Sequence, residues 1–224
     1  DWARRVNGKK FQTGELVKGE FAHQLPAGFQ SYVLNTRRPL LQDLRVRQAL
    51  ALALDYEWMN RQMFYNAYQR VHSLFGNTAC EAQGEPSAAE RALLEPWRAQ
   101  LPATVFGPAY QAPRTSAPAS LRDNLRHAQA LLREAGWAVQ GGVLRAVNVP
   151  GVAAGSALEL EYMDSNEGGM RVVAPWMRNL EKLGITLRFR SVDFALYQQR
   201  LQKFDFDITS LAYQGTHNPG QEFA

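Results

Sequence analysis

The last third of the chain alternates between strand-like and helix-like segments, and this alternation limits the possible folds more than any other feature. Segments 158–163, 185–191 and 206–213 have the residue pattern of β-strands. Segments 171–183 and 194–203, which lie between them, repeat apolar residues at three- and four-residue steps, as amphipathic helices do. Strands that alternate with helices form parallel sheets through crossover connections. We therefore predict an α/β fold.

A strand, a turn and a capped helix are predicted near the start of the chain. Residues 29–36 alternate and carry aromatic and β-branched side chains, which indicates a strand. Pro39 disfavours helix at the residue before it, and Asp43 is then placed as an N-cap. From Leu44 onward, apolar positions at helical spacing indicate one buried helix face. A second helix is predicted from Tyr56 to about Tyr65.

The middle of the chain contains further local signals. Ser87 and Glu90 have the spacing of a capping box, which predicts a short helix. Four prolines in residues 102–120 exclude a regular helix or a central strand, so this segment is a crossing loop or a lid. Apolar spacing predicts a helix over 121–135, and a hairpin is expected around Gly141-Gly142.

Composition excludes several classes of protein. The chain has 224 residues, of which 46% are hydrophobic and 21% are charged, and this is typical of a globular domain. No apolar run is long enough to cross a membrane. The net charge of +4 comes from arginines spread along the chain, whereas a nucleic-acid binder concentrates them on one surface. One cysteine and four distant histidines predict neither a disulfide nor a metal site, and we expect no cofactor.

Functional groups in parallel sheets lie at the carboxyl ends of strands. Two loops follow predicted strand ends here, at residues 164–169 and 214–219, and His217 in the second is a candidate ligand contact. Gly168-Gly169 precede a helix, so they are either an anion-binding turn or a flexible turn. Asp205 and Asp207 flank Phe206 as either a pair of acid–base carboxylates or solvated surface charge.

Four ordered blocks resemble one protein family. The blocks are Leu34-Asn-Thr-Arg-Arg-Pro with Asp43-Leu-Arg-Val-Arg-Gln-Ala-Leu and Ala53-Leu-Asp, then Asp123 to Trp137 ending in Ala-Gly-Trp, then Asn179 to Ile185, and finally Phe204-Asp-Phe-Asp-Ile. Together they resemble the C-terminal lobe of the extracellular solute-binding proteins of family 5. These proteins are the peptide-, oligopeptide- and nickel-binding components of ABC importers. Residues 64–68 and 94–98 are similar to the branch that imports peptides and microcin C.

The resemblance implies an architecture. The expected fold is a lobe of the periplasmic binding protein type II kind, with a mixed, mostly parallel sheet flanked by helices. Residues 1–28 would be a connector from an upstream lobe. Residues 29–224 would be the C-terminal lobe of a two-lobed protein, truncated at its C-terminus.

The resemblance also implies a function. The chain would belong to a periplasmic binding protein and not to an enzyme. It would capture a peptide or peptide-like ligand between two lobes and deliver it to ABC permease subunits in the inner membrane. We expect a monomer with no nucleic-acid partner.

Two loops match ligand-contacting positions of the family. The predicted ligand-binding residues are Met163, Asp164, Ser165 and Asn166 in the first loop, and Tyr213, Gln214, Thr216 and His217 in the second. Many relatives carry an Asp where this chain has Thr216, and that Asp pairs with the peptide's α-ammonium group. Either Asp164 supplies the carboxylate instead, or the ligand's amine is not recognised in this way.

Two other functions remain open at this point. The same module occurs behind a DNA-binding helix-turn-helix as the ligand sensor of a cytoplasmic transcription regulator. The residues upstream of Asp1 would distinguish this possibility, because a signal peptide supports transport and a helix-turn-helix supports regulation. A hydrolase rests only on Asp205 and Asp207.

Overall fold

The computed structural model describes residues 8–19, 21–217 and 220. Its helices and strands follow the order that the sequence predicts from residue 29 onward. The helices are α1 (Lys9–Gln12), α2 (Pro39–Gln42), α3 (Leu44–Leu52), α4 (Tyr56–Phe64), α5 (Ala88–Leu94), α6 (Leu121–Glu134), α7 (Met170–Glu181) and α8 (Phe194–Gln202). The strands are β1 (Phe29–Leu34), β2 (Trp137–Gln140), β3 (Val143–Ala146), β4 (Glu159–Asp164), β5 (Thr186–Ser191) and β6 (Ile208–Tyr213).

Four of the strands form one mixed sheet in the order β1-β6-β4-β5. β4 is parallel to both β5 and β6, and β1 is antiparallel to β6. Helix α8 therefore carries the chain from β5 past β4, so that β6 lies between β4 and β1. The prediction of an α/β fold with a mostly parallel sheet is confirmed. The insertion of β6 beside β1 is a pairing that the local residue pattern does not specify.

Helix α7 packs on one face of the sheet, and its Trp176 side chain is buried between them. Trp176 is 2% exposed, its ring stacks on that of Tyr32 at a centroid distance of 4.9 Å, and its Nε1 donates to the carbonyl of Leu50. Burial of a Trp side chain removes roughly 150–250 Å² from water, which makes it a major contributor to the core. The helical spacing of residues 171–183 predicts that Val172, Trp176, Leu180 and Leu183 share this buried side. The structure corrects this, because Val173 is the buried neighbour.

The start of the lobe follows the predicted local rules, with one addition. The Asp43 carboxylate caps α3 by accepting from the backbone N–H of Arg45 at 2.8 Å. Pro39, which was expected only to exclude helix before it, opens the one-turn helix α2. This position suits proline because a first helical residue needs no N–H donor.

The predicted hairpin and capping box are also confirmed. Gly141 and Gly142 both have positive φ, +58° and +80°, as a tight two-residue hairpin turn between β2 and β3 requires. Ser87 and Glu90 exchange both hydrogen bonds of the box at the start of α5.

The opposite face of the sheet has a smaller core under α8. Met163, Tyr197 and Phe206 are buried there together. Thr209, 0% exposed, donates from Oγ1 to the carbonyl of Met163 at 2.9 Å and so joins β6 to β4. In the part of the chain that the structure describes, no helix has both the length and the apolar character needed to cross a membrane.

Candidate functional site

The carboxyl ends of β4 and β6 meet at one edge of the sheet, but the two strands end at different heights. The last residues paired between them are Met163 and Thr209. Beyond that point β4 turns away after Asp164, while β6 continues to Tyr213 with β1 on its other side. Among the strand pairs of the described residues, the stretch Ser210–Tyr213 therefore has a neighbour on the β1 side only. This stretch is called the open β6 edge below.

The loop after β4 is built by side chains that bond to backbone N–H groups. Asp164 Oδ1 accepts from the N–H of Asn166 at 2.9 Å, and Asn166 Oδ1 accepts from the N–H of Gly168 at 2.8 Å. Such turns hold the chain in one conformation without regular secondary structure. Ser165 and Asn166 are exposed, and Asp164 is half-buried. The predicted loop is therefore accessible and preformed.

Gly168 and Gly169 make the turn into α7. A Cβ atom at Gly169 would collide with Oδ2 of Asp164, so the carboxylate lies directly against this glycine. The protein's own carboxylate therefore lies near the amino end of α7, where negative charge is favourable. The structure favours the turn and not the anion-binding alternative.

Met163 is the predicted site residue that the structure places furthest from solvent. Its side chain is 0% exposed and packs with Tyr197 and Phe206 under α8. Its carbonyl accepts from Thr209. The side chain of Met163 therefore supports β4 from below and does not line the edge.

The second predicted loop extends the open β6 edge. Tyr213, Gln214 and His217 are exposed and Thr216 is half-buried. The Tyr213 ring stacks on that of Phe29 at a centroid distance of 4.8 Å, which fixes its orientation over β1. The next two residues of this loop, 218 and 219, lie outside the described residues, as do 221–224 and, in the predicted connector, 1–7 and 20.

A row of polar side chains crosses the sheet below this edge. Tyr32 of β1 pairs with Ser210 of β6, and Ser210 and Asp164 follow the paired residues Thr209 and Met163 on their strands. Burial raises the pKa of Tyr32 to about 12; the positive charge of Arg70 opposes this rise and the negative charge of Asp164 adds to it. The Tyr32 phenol therefore stays neutral at physiological pH.

Sequence reasoning did not single out Arg70, which it counted among the scattered arginines. The residue lies between the end of α4 and the proline-rich segment, and its guanidinium carbon is 4.9 Å from the centroid of the Tyr56 ring. No period or motif marks it, because its neighbours come from distant parts of the chain.

The proline-rich segment 102–120 is fastened to α4. Thr115 donates from its N–H and its Oγ1 to Glu57 Oε2, at 3.1 and 2.7 Å, and its Oγ1 lies 2.5 Å from Asp55 Oδ1. The N–H of Ala112 donates to Nδ1 of His72 at 3.0 Å. Apart from the short 3₁₀ turn Ala103–Phe106, the segment has no helix or strand, as predicted. These bonds make it a fixed crossing loop.

Asp205 and Asp207 precede β6, at the opposite end from the open edge, and are bonded to arginine. Arg38 contacts Asp205 Oδ1 at 2.9 Å and Asp207 Oδ1 at 3.1 Å. Hydrogen bonding to Arg38 lowers the pKa of Asp205. A general acid must hold a proton near neutral pH, so this arrangement does not suit acid–base catalysis. Across residues 8–19, 21–217 and 220, no three His, Cys, Asp or Glu side chains are grouped as a metal ion would require.

Comparison with known proteins places the chain among solute-binding proteins. The sequence model of the bacterial extracellular solute-binding proteins, family 5 Middle, matches residues 4–224. The chain is 35% identical over 222 residues to the uncharacterized protein YejA of Escherichia coli K12, covering 99% of this chain and 36% of that protein. It is 37% identical over 195 residues to the probable peptide-binding protein YejA of Agrobacterium fabrum, covering 87% and 31%. The chain thus spans about a third of the length of these curated relatives.

A solved structure with the same fold is the oligopeptide-binding protein AppA of Bacillus subtilis in complex with a nonapeptide. The TM-score is 0.60 at 18% identity, covering 88% of this chain and 33% of AppA. At this identity the similarity concerns the fold.

Proposed function

The chain belongs to the bacterial extracellular solute-binding proteins of family 5, and from this premise we propose that it is part of the peptide-binding component of an ABC importer. The family consists of binding proteins, so we propose binding and release of a ligand, without catalysis. The observation that carries the proposal is the open β6 edge, with the preformed loop 164–166 beside it.

The open β6 edge suits a peptide for a physical reason. Backbone N–H and C=O groups on an unpaired strand side bond to the main chain of an extended peptide, as an added strand does. All peptides share these groups, so such pairing gives affinity without dependence on sequence. The relative from Agrobacterium fabrum, which is named as a probable peptide-binding protein, supports peptides as the ligand class.

The proposed contact residues are those exposed or half-buried around this edge. They are Asp164, Ser165, Asn166, Tyr213, Gln214, Thr216 and His217. Thr216 brings no carboxylate to the ligand's amine. Asp164 already bonds to Asn166 and lies against Gly169, so its capacity to anchor an ammonium group is reduced.

We assign the remaining roles on the same basis. Residues 29–224 form part of one lobe, residues 1–28 connect it to another, and the ligand is enclosed between the two. The protein is a periplasmic monomer that delivers its ligand to the permease subunits of the importer. The extracellular character of the family supports this location.

Two measurements test the proposal on the full-length protein. Mass spectrometry of the protein purified under non-denaturing conditions from its native host identifies the ligand that it carries, and we expect peptides. Isothermal titration with di- to hexapeptides is expected to give micromolar or tighter binding. Failure to bind any peptide, together with a bound sugar or metal chelate, would falsify the assignment of ligand class.

The 224-residue chain alone provides a further comparison. With one lobe absent, half of the enclosing contacts are lost, so binding weaker than micromolar is expected. Micromolar or tighter binding by this chain alone would contradict enclosure between two lobes.

A further inference from the structure

An exposed aromatic ring lies at the start of α8, above the small core on that face of the sheet. Phe194 is 66% exposed, and its ring stacks on that of Tyr197 at a centroid distance of 6.5 Å. A single exposed Phe is ordinary on a protein surface. One that lies beside a candidate binding site is different, because it offers apolar area to a ligand.

Two contacts place Phe194 beside the open β6 edge. The N–H of Val192, two residues before it, donates to the carbonyl of Asp164 at 3.0 Å, which joins the start of α8 to the end of β4. The hydroxyl of Tyr197 donates to the carbonyl of Ser210, the first residue of the open β6 edge, at 3.2 Å. Since Phe194 stacks on this Tyr197, one side chain separates its ring from the edge.

The ring of Phe194 also lies on the same face of the sheet as Tyr213. Successive strand residues point to opposite faces, so Thr209, Leu211 and Tyr213 share one face of β6. This is the face that α8 covers, because Oγ1 of Thr209 lies 2.9 Å from the hydroxyl of Tyr197. On this face, the open β6 edge therefore has an exposed aromatic side chain from α8 and another from β6 itself.

Strand pairing decides where the side chains of a ligand point. The bond from the N–H of Asn35 to the carbonyl of Asp207 continues the β1–β6 ladder, in which every second residue of β6 bonds to β1. Ser210 and Ala212 are the intervening residues, so their backbone groups point to the open side. An extended peptide that pairs with them directs alternate side chains to the face that carries Phe194.

We propose that Phe194 is a specificity-determining residue, which binds an apolar or aromatic side chain at one position of the bound peptide. This inference rests on the proposed function. A large apolar side chain that packs on the ring removes more apolar area from water than an Ala side chain does, and two rings add a preference for offset or edge-to-face contact. Main-chain pairing gives affinity for any peptide, whereas Phe194 selects one side chain.

The test uses the full-length protein with tetra-alanine and the four peptides in which one Ala is replaced by Phe. Each peptide is titrated calorimetrically. One Phe position is expected to bind about 10- to 100-fold more tightly than tetra-alanine, the range for burial of one Phe side chain. The adjacent positions, whose side chains point to the opposite face, are expected to show no such gain.

Two results of these titrations count against the inference in different ways. Equal affinities of all five peptides, or an equal gain at every position, would overturn it while peptide binding, and with it the proposed function, would stand. Failure of every peptide to bind would overturn the proposed function and this inference together.

Three variants locate the effect. Phe194→Ala is expected to remove the preference by weakening the preferred Phe peptide about 10-fold or more while tetra-alanine binds as before; a preference that survives would overturn the proposal. Phe194→Leu keeps an apolar side chain and is expected to retain part of the preference. Phe204→Ala is the matched control, because this 46% exposed ring lies beyond the other end of α8, against the Arg37 guanidinium at 3.6 Å. It is expected to keep the full preference.

Thermal unfolding separates a ligand contact from a structural role. Because Phe194 is mostly exposed, Phe194→Ala is expected to leave the melting temperature of the unliganded protein unchanged. The competing occupant of the ring is another part of the full-length protein. In that case Phe194→Ala would lower the melting temperature and weaken tetra-alanine and the Phe peptides equally, which would overturn the proposal.

Discussion

The two ends of β6 differ in how they are held in the fold. At the amino end, Arg38 bonds to both Asp205 and Asp207, and Asp207 Oδ2 also accepts the backbone N–H of Glu161 at 2.9 Å. At the carboxyl end, the strand has no partner on its β4 side beyond Thr209 among the described residues. Charges that the fold itself neutralises hold strands in register. The amino end is thus fixed by side-chain bonds, whereas the carboxyl end leaves β6 backbone groups without a strand partner on one side.

Asn35 gives the largest expected effect, because it fastens the amino end from within. It is 4% exposed and its Nδ2 donates to the carbonyls of Phe204 and Phe206 at 2.9 and 2.8 Å. Asn35→Ala removes both donors and leaves Phe206 O with only the long 3.3 Å bond from Arg38. We expect a loss of about 2–4 kcal/mol in the free energy of unfolding, measured by urea titration.

The matched control for Asn35 is Gln214→Ala at the other end of β6. Gln214 is exposed, so its removal is expected to change stability by less than about 0.5 kcal/mol. If the two variants were equally stable, the contrast between a fastened and an open end would be wrong.

Gly169 sharpens the comparison at the carboxyl end. In Gly169→Ala the added Cβ meets Oδ2 of Asp164, and we expect a loss of about 1–3 kcal/mol as the loop shifts. Asp164→Ala removes the obstructing atoms, so the double variant is expected to be more stable than the sum of the two single losses. Additive losses in a double-mutant cycle would mean that the two side chains do not meet.

Asp205 gives the smallest effect, because its ion pair is exposed. Its hydrogen bond to Arg38 lowers the folded-state pKa below the value in the unfolded chain. The pair therefore stabilises the fold above the unfolded pKa of about 4, and this stability is lost as the pH falls through the lower, folded pKa. Exposure limits the contribution to less than about 1 kcal/mol. Asp205→Asn is expected to flatten the stability profile below pH 4 in urea titrations; an unchanged acid slope would exclude the pair as a source of stability.

Local signals in the sequence predicted the elements well. The N-cap at Asp43, the capping box of Ser87 and the hairpin at Gly141-Gly142 each depend on residues close together in the chain. Helix boundaries fell within a few residues for the same reason, since apolar spacing defines a face before tertiary contacts form. The Val172 assignment failed because both Val172 and Val173 lie near the buried arc, and packing against the sheet decides between them.

The candidate site was predicted in part. Topology placed it at the carboxyl ends of β4 and β6, and the structure brings these two ends together at one edge. It turns the side chain of Met163 into the core, because strand residues alternate between faces and Met163 shares a face with Thr209. The ligand-contact role of the other predicted residues stays a prediction.

The sequence alone determined the family, the order of helices and strands, and the missing carboxylate at Thr216, since all three depend on residue identity and local spacing. Only the tertiary structure decided that β6 lies between β1 and β4. It also decided that β6 continues beyond its last residue paired with β4, which leaves the open β6 edge. It further decided that the Arg70 guanidinium packs on the Tyr56 ring while Arg38 pairs with two aspartates. The physical reason is that strand pairing and burial join residues distant along the chain, so whether a charge finds a partner depends on packing and not on its neighbours in sequence.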